Sequence, residues 1–430
     1  MLLFVLIVAI AVVILLPVLR GSVAWSAPVA LGAGLLLVVM CPYWLGLTVG
    51  GMFVPAQLFV LLALLAVLWR PAHFAWTRES VLVVALATVT LVGALVGGSD
   101  IANWADIALV WCGAFLLGMT AAAVTHPTKV ATYVSLVAVL LASWAVLELL
   151  LDFHPFVELS AFGGPYNVWS PIQYRGGPPR SEAAFGHSIA LGNSLVLALP
   201  FVFAWRTRPL VKAGALAVVL AGVVVTFSRG SLVSAVVTIS LSILVLRMPS
   251  ISRPARHTFA YFLVLFGVLL APLYLSFLGS ASTELNDSTK YRANYASILE
   301  FLRWVGPASN GITLPDGDYG YASSLYPGGV IKTVDNSLLL MGMQFGICAM
   351  VLFAMIIIAT WSRLPAAASR PEVVAVAGQA FSLLTVAMIT QYALLYWLCL
   401  GYVAGRFITT SRADERSAVR PESEPSDPAR

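Results

Sequence analysis

The chain has 430 residues, of which 60% are hydrophobic and 10% charged, with a net charge of +5. Water-soluble domains carry about a quarter of their residues as charges, so this composition excludes a soluble globular enzyme. The basic excess does not point to nucleic acid, because in a membrane protein Lys and Arg chiefly set orientation.

Apolar runs of about 18 residues or more, long enough to cross a bilayer as helices, recur along nearly the whole chain. In lipid the backbone must satisfy itself, so these runs predict an all-α polytopic integral membrane protein. The expected spans are 2–19, 23–40, 44–69, 80–97, 105–124, 130–151, 184–205, 209–227, 231–247, 258–279, 337–361, 372–389 and 391–408. They number twelve or thirteen, because the last two share one run divided only by Thr390–Gln391–Tyr392. The first run has its first charge, Arg20, after it rather than before it, and reads as a retained helix rather than a signal peptide. Pro55 and the Gly46-xxx-Gly50 pair predict a kink or a re-entrant stretch within 44–69. The membrane domain is expected over 1–408, and the polar tail 411–430 is expected to be disordered. Cys41, Cys112, Cys348 and Cys399 have no ligand-like spacing and suggest neither zinc nor a disulfide framework.

Basic residues orient the chain. With the C-terminus cytoplasmic, only seven of the 24 Lys and Arg fall outside: Arg175, Arg180, Arg229, Lys290, Arg292, Arg303 and Lys332. That bias is what the positive-inside rule expects. The seven are confined to the 153–183 loop, the tight turn Thr226–Gly230 and the long loop 280–336, so three distant regions bring cations to one face. Arg229 ends an apolar run, where a charge is costly. Taken alone it reads as a snorkelling arginine; its six companions favour a site.

The long loop is polar, charged and aromatic, far longer than a helix connection needs. Within it, 290–304 reads as an amphipathic helix with Tyr291, Tyr295, Ile298, Leu299 and Leu302 at helical spacing. Arg292 and Arg303 lie about three turns apart on one side of it; this is either an ordinary interfacial helix or a headgroup clamp. Residues 311–329 read as turns and irregular loop, with Tyr319, Tyr321 and Tyr326 able to stack on sugars or on each other. Asp335–Asn336 precedes an apolar helix, where either residue can cap it and the carboxylate is also placed to act as a base. His187 begins a helix and reads as structural. Arginines at an outer surface suit a lipid-borne phosphate or diphosphate, whose oxygens a guanidinium binds in pairs.

Three features together resemble the O-antigen ligase and polymerase superfamily of bacterial envelope glycan enzymes. They are Arg180–Ser181–Glu182–Ala183–Ala184–Phe185–Gly186–His187, the Ser228–Arg229–Gly230 turn, and the long loop with Arg292 ahead of Asp335–Asn336–Ser337–Leu338 and Gly346. The resemblance covers about 160–360. It implies a GT-C-like membrane glycosyltransferase in the inner (plasma) membrane, with its active face extracytoplasmic. The implied reaction is inverting and independent of metal and cofactor. It moves a glycan from undecaprenyl diphosphate to an acceptor hydroxyl of a glycan or lipid, by ligation or by repeat-unit polymerisation. Arg180, Arg229 and Arg292, with Arg303, would hold the diphosphate, and Arg292 and Asp335 would serve catalysis. Ligases of this family usually carry His-Asn where this chain has Asp335–Asn336, so Asp335 becomes the candidate base and a polymerase fits at least as well. The competing readings are a flippase or transporter of lipid-linked oligosaccharide and a subunit of an envelope-synthesis complex. Few intramembrane charges and no internal repeat count against transport.

Overall fold

The computed structural model describes residues 23–49, 52–99, 101–159, 164–174, 179–247, 298–313, 319–322, 330–331 and 334–418, with a few positions between 254 and 265. The expected span 2–19, most of 258–279, and Arg292, Arg175, Lys290, Lys332 and Tyr326 lie outside the described residues.

The chain is mostly helical. Its elements are α1 Val23–Met40, a hairpin of β1 Gly46–Val49 and β2 Met52–Pro55, α2 Ala56–Leu68, α3 Arg78–Leu95, α4 Ile101–Val124 and α5 Pro127–Leu151. They continue with α6 Ser188–Ala204, α7 Pro209–Val225 and α8 Arg229–Val245. A small antiparallel sheet, β3 Gly311–Thr313, β4 Tyr319–Ala322 and β5 Val330–Ile331, precedes α9 Ser337–Phe345 and α10 Ile347–Trp361. The chain closes with α11 Pro371–Gly378, α12 Ala380–Thr385 and α13 Thr390–Ala418. Among the described residues four helices are long and apolar enough to cross a membrane: α3, α4, α5 and α10 with its extension to Ala366. This is a membrane protein of helical build. The 17-residue helices α6, α7 and α8 are about 25 Å long, slightly less than the hydrocarbon core.

Several expected spans are broken. The 44–69 run is a hairpin, paired Gly46↔Pro55 to Val49↔Met52, followed by a 13-residue helix. The 337–361 run divides at Gly346, whose φ of 99° no β-carbon tolerates well. A side chain there would press on the backbone of residues 303–305. The freed backbone groups are met by the incoming loop, with Ile347 N–H on Arg303 O (2.8 Å), Cys348 N–H on Trp304 O (3.1 Å) and Gly306 N–H on Phe345 O (3.0 Å). The 372–389 run divides into α11, α12 and a non-helical stretch. Of the expected loop helix 290–304, residues 290–297 lie outside the described residues, and 298–304 hold a 3-10 turn, Leu299–Phe301, followed by non-helical chain; residues 311–331 hold the sheet rather than irregular loop alone. In the tail, helix α13 runs on through Ala418, so 411–418 is helical rather than irregular.

Helix α6 is the axis. Every residue from Ser188 to Val202 except Ile189 is buried, against α5, α7, α8, α11 and α13. Helices α4 and α13 cross so closely that a methyl on Gly118 or Gly401 would overlap the opposing backbone, and Gly405 sits against Met119 and Ala122. Such small-residue contacts let helices associate by packing alone when lipid removes any hydrophobic gain. Charges gather beside Arg406 and Phe407 of α13, about 25 Å from its start. There Arg363 holds the buried Glu79 with bonds of 3.0 and 3.3 Å, and Phe407 lies under both Arg363 (4.1 Å) and Arg370 (3.8 Å).

Candidate functional site

At the other end, two of the three cationic regions meet. Arg180 is buried. Its Nε donates to Thr226 O (2.9 Å) and its Nη1 to the Gln173 side-chain oxygen (3.3 Å), while Ser181 N–H reaches Val225 O (3.2 Å). The 180–183 loop is therefore laid directly on the end of α7. The turn that follows is sharp. Phe227 adopts a left-handed φ of 48°, Ser228 caps α8 through Ser231 N–H (3.3 Å), and Arg229, half-buried, is the first residue of α8. Non-glycine residues in this conformation cost free energy and gather at functional sites. Ala183 (φ 47°) and Thr390 (φ 49°) are two more, and Gln391 ties the second to the first loop by donating to Ala184 O (2.9 Å).

The third region joins through α12. Ser337 donates through Oγ to Val386 O (2.7 Å), and Asn336 Nδ2 donates to Leu384 O (2.9 Å). A β-carbon on Gly230 would touch Val386 at 3.4 Å and Thr385 at 3.7 Å. The starts of α6, α8 and α9 thus converge. Each helix N-terminus carries roughly half a positive charge, and with Arg180 and Arg229 they give this region a positive potential. The cap of α9 is Asn336, whose Oδ1 accepts Leu339 N–H at 2.9 Å. Asp335, half-buried just outside, is not the capping residue.

Two buried carboxylates hold this frame, and the sequence did not mark them as site residues. Glu148 near the end of α5 accepts from Trp144 Nε1 (3.1 Å), Ala183 N–H (2.9 Å) and Glu182 N–H (3.3 Å). Glu182 accepts from Gln173 N–H (3.0 Å). Burial pushes the Glu182 carboxyl up to about 7, against the opposing pull of that hydrogen bond and of the Arg180 charge. The signal for Glu148 was a charge in an apolar run with a tryptophan one turn before it. His187 caps α6, with Nδ1 accepting Ile189 N–H at 3.3 Å. Burial and the Arg180 charge lower it to about 4. It is neutral, and with Nδ1 accepting, its ring proton is on Nε2. A polar chain lies beneath, in which Ser382 Oγ donates to Asn193 Oδ1 (2.7 Å) and meets Ser234 Oγ (2.6 Å).

Arg303 is exposed and sits at the α9–α10 break, about 13 Å along α9 from its first turn. It is not joined to Arg180 and Arg229 by any contact among the described residues. Among those residues no three His, Cys, Asp or Glu are grouped to hold a metal. No family model matches this chain, and no curated protein matches it.

Proposed function

We propose that this chain is an envelope glycosyltransferase that moves a glycan from a polyprenyl diphosphate to an acceptor hydroxyl outside the cytoplasm, as ligase or repeat-unit polymerase. The observation that carries the reading is the docking of the Arg180 loop on the Thr226–Gly230 turn beneath three helix N-termini. In this reading Arg180 and Arg229, with Arg292 from the long loop, grip the diphosphate and stabilise the charge it gains on leaving. Asp335 takes the proton of the acceptor hydroxyl. The hydroxyl oxygen forms its bond to the anomeric carbon from the face opposite the diphosphate, the carbon–phosphate-oxygen bond breaks, and the configuration inverts. Arg303, exposed on the loop, serves the headgroup region rather than the reacting atoms.

A second reading, a transporter of lipid-linked oligosaccharide, is favoured by one feature. Residues 386–389 are non-helical between α12 and α13, beside the buried Asn193–Ser382–Ser234 chain. Unwound helices around polar groups are a transporter pattern when they lie at the bilayer midplane. Asn193 and Ser234 are each the sixth residue of their helix, about 8 Å from its start. That depth suits the floor of a surface site better than a midplane one.

Deleting the gene and identifying the accumulated lipid-linked glycans tests the proposal. Single repeats on the outer leaflet mean a polymerase, and long chains still on lipid mean a ligase. Repeats held on the inner leaflet mean transport, and the transferase reading then fails.

A further inference from the structure

Linked to the cationic site through Trp169, His187 and Gln173 lies a cleft of about 340 Å³. Its walls come from the β1–β2 hairpin, the start of α4 and the short helix Gly164–Trp169, and they present Tyr43, Phe53, Trp169, Asn103 and Asp106. The size is that of a small-molecule site, with apolar walls and a few converging polar groups.

Asp106 is the unusual member. It lies within α4, where the helix widens into a π-helical turn, Ile107–Trp111. Such turns are uncommon and frequently mark functional positions. Its side chain stays solvent-accessible, and among the described residues its carboxylate makes no hydrogen bond or ion pair. A carboxylate at the outer part of an apolar helix, beside Tyr43 and with no hydrogen-bonding partner among the described residues, is positioned for something that enters the cleft.

Trp169 is the shared wall. Its ring meets Tyr43 edge-on at 5.7 Å and 84°, and also meets His187 at 6.4 Å and 68°. His187 begins α6, whose Ser188 donates to the same Gln173 oxygen that receives Arg180. A ligand in the cleft would therefore end close to the diphosphate region.

The charge says what that ligand is not. A carboxylate repels phosphate, so the cleft does not extend the anion site. Asn103 beside Asp106 offers a donor as well as an acceptor, and a cation would leave that donor unused. Paired donor and acceptor groups against aromatic faces match the hydroxyls and the apolar face of a neutral sugar ring. We propose that this cleft, with Asp106 and Asn103 against Tyr43 and Trp169, binds the acceptor saccharide next to the diphosphate site, an inference that rests on the transferase reading above.

The test uses the full chain in lipid nanodiscs with two probes: undecaprenyl diphosphate, and the host's envelope glycan released from its lipid by mild acid. Asp106→Asn removes the charge, and Ala105→Phe fills the cleft. Both variants are expected to retain undecaprenyl diphosphate like the wild type while their glycan affinity falls by about tenfold or more, the cost of losing a charged hydrogen bond. Donor retention also reports that each variant is folded. Glycan binding that is unchanged in both variants, or absent in the wild type, overturns the cleft assignment and leaves the transferase reading standing. Binding of choline in place of glycan, lost in Asp106→Asn, overturns it in favour of an ammonium site. Failure of the wild type to retain undecaprenyl diphosphate instead strikes the transferase reading itself.

Discussion

Glu148 offers the sharpest test of how the site is held. One carboxylate oxygen faces the Trp144 indole N–H and the other faces the N–H groups of Glu182 and Ala183. Three donors thus converge on a group that has only acceptors. In Glu148→Gln the amide must turn its NH₂ toward one side or the other. Turned to the indole it loses one bond and sets two donors against each other; turned to the loop it loses two. The first orientation is the cheaper, and leaving one buried donor unmet costs about 1–3 kcal/mol. In a Trp144→Phe background the clash between donors is gone and only the amide NH₂ is left unmet, so the same Glu148→Gln change should cost less. The two substitutions are therefore non-additive, with a coupling of about 1–2 kcal/mol. Thermal denaturation of the four proteins in one detergent, followed by tryptophan fluorescence, measures this. Additive losses would refute the three-donor account of Glu148.

Other predictions follow from the same geometry. The Glu182 carboxyl stands at about 7, raised from 4.5. A carboxyl raised by folding stabilises fully below its unfolded value, and that contribution is lost as pH climbs through its folded one. Ionised Glu182 would also oppose the Arg180 charge, so affinity for undecaprenyl diphosphate should fall between pH 6 and pH 8, about one unit either side of that value. Glu182→Gln should flatten that profile. Gly401→Ala pushes a methyl into the Phe115 backbone and should cost about 1–3 kcal/mol. Gly214→Ala, in open space, should be neutral or stabilising by about 0.5–1 kcal/mol; detergent melting curves compare the two. Asn336→Ala removes the α9 cap and should cost about 1 kcal/mol. Asp335→Asn should abolish transfer while undecaprenyl diphosphate binding is kept, read by product formation and by donor retention.

The helical membrane build was legible because long apolar runs have few other physical solutions. Where the chain departs from helix, local chemistry was outweighed in the reading by hydropathy. The Val49–Gly50–Gly51–Met52 stretch carries a hairpin signal, yet its apolar neighbours concealed it inside a 26-residue run. Gly346 sits in a run with no proline, and its break depends on backbone groups of residues 303–306 that no local pattern announces. Arg180 and Arg229 were legible as cations on one face. That one is laid on the turn carrying the other was not, because the link is a backbone carbonyl, Thr226 O, which every residue has. Glu148 was visible as a charge in an apolar helix, but its role depends on the positive-φ loop at Ala183, 35 residues on.

The central claim is that the Arg180–Arg229 region binds a lipid diphosphate and that Asp335 activates the acceptor. The most direct measurement reconstitutes the purified full chain with polyprenyl-diphosphate-linked glycan and its acceptor, and follows the glycosidic product and its anomeric configuration. The account predicts product of inverted configuration, lost in Arg229→Ala together with donor binding, and lost in Asp335→Asn with donor binding kept. Movement of the lipid-linked glycan between leaflets without any new glycosidic bond would contradict it.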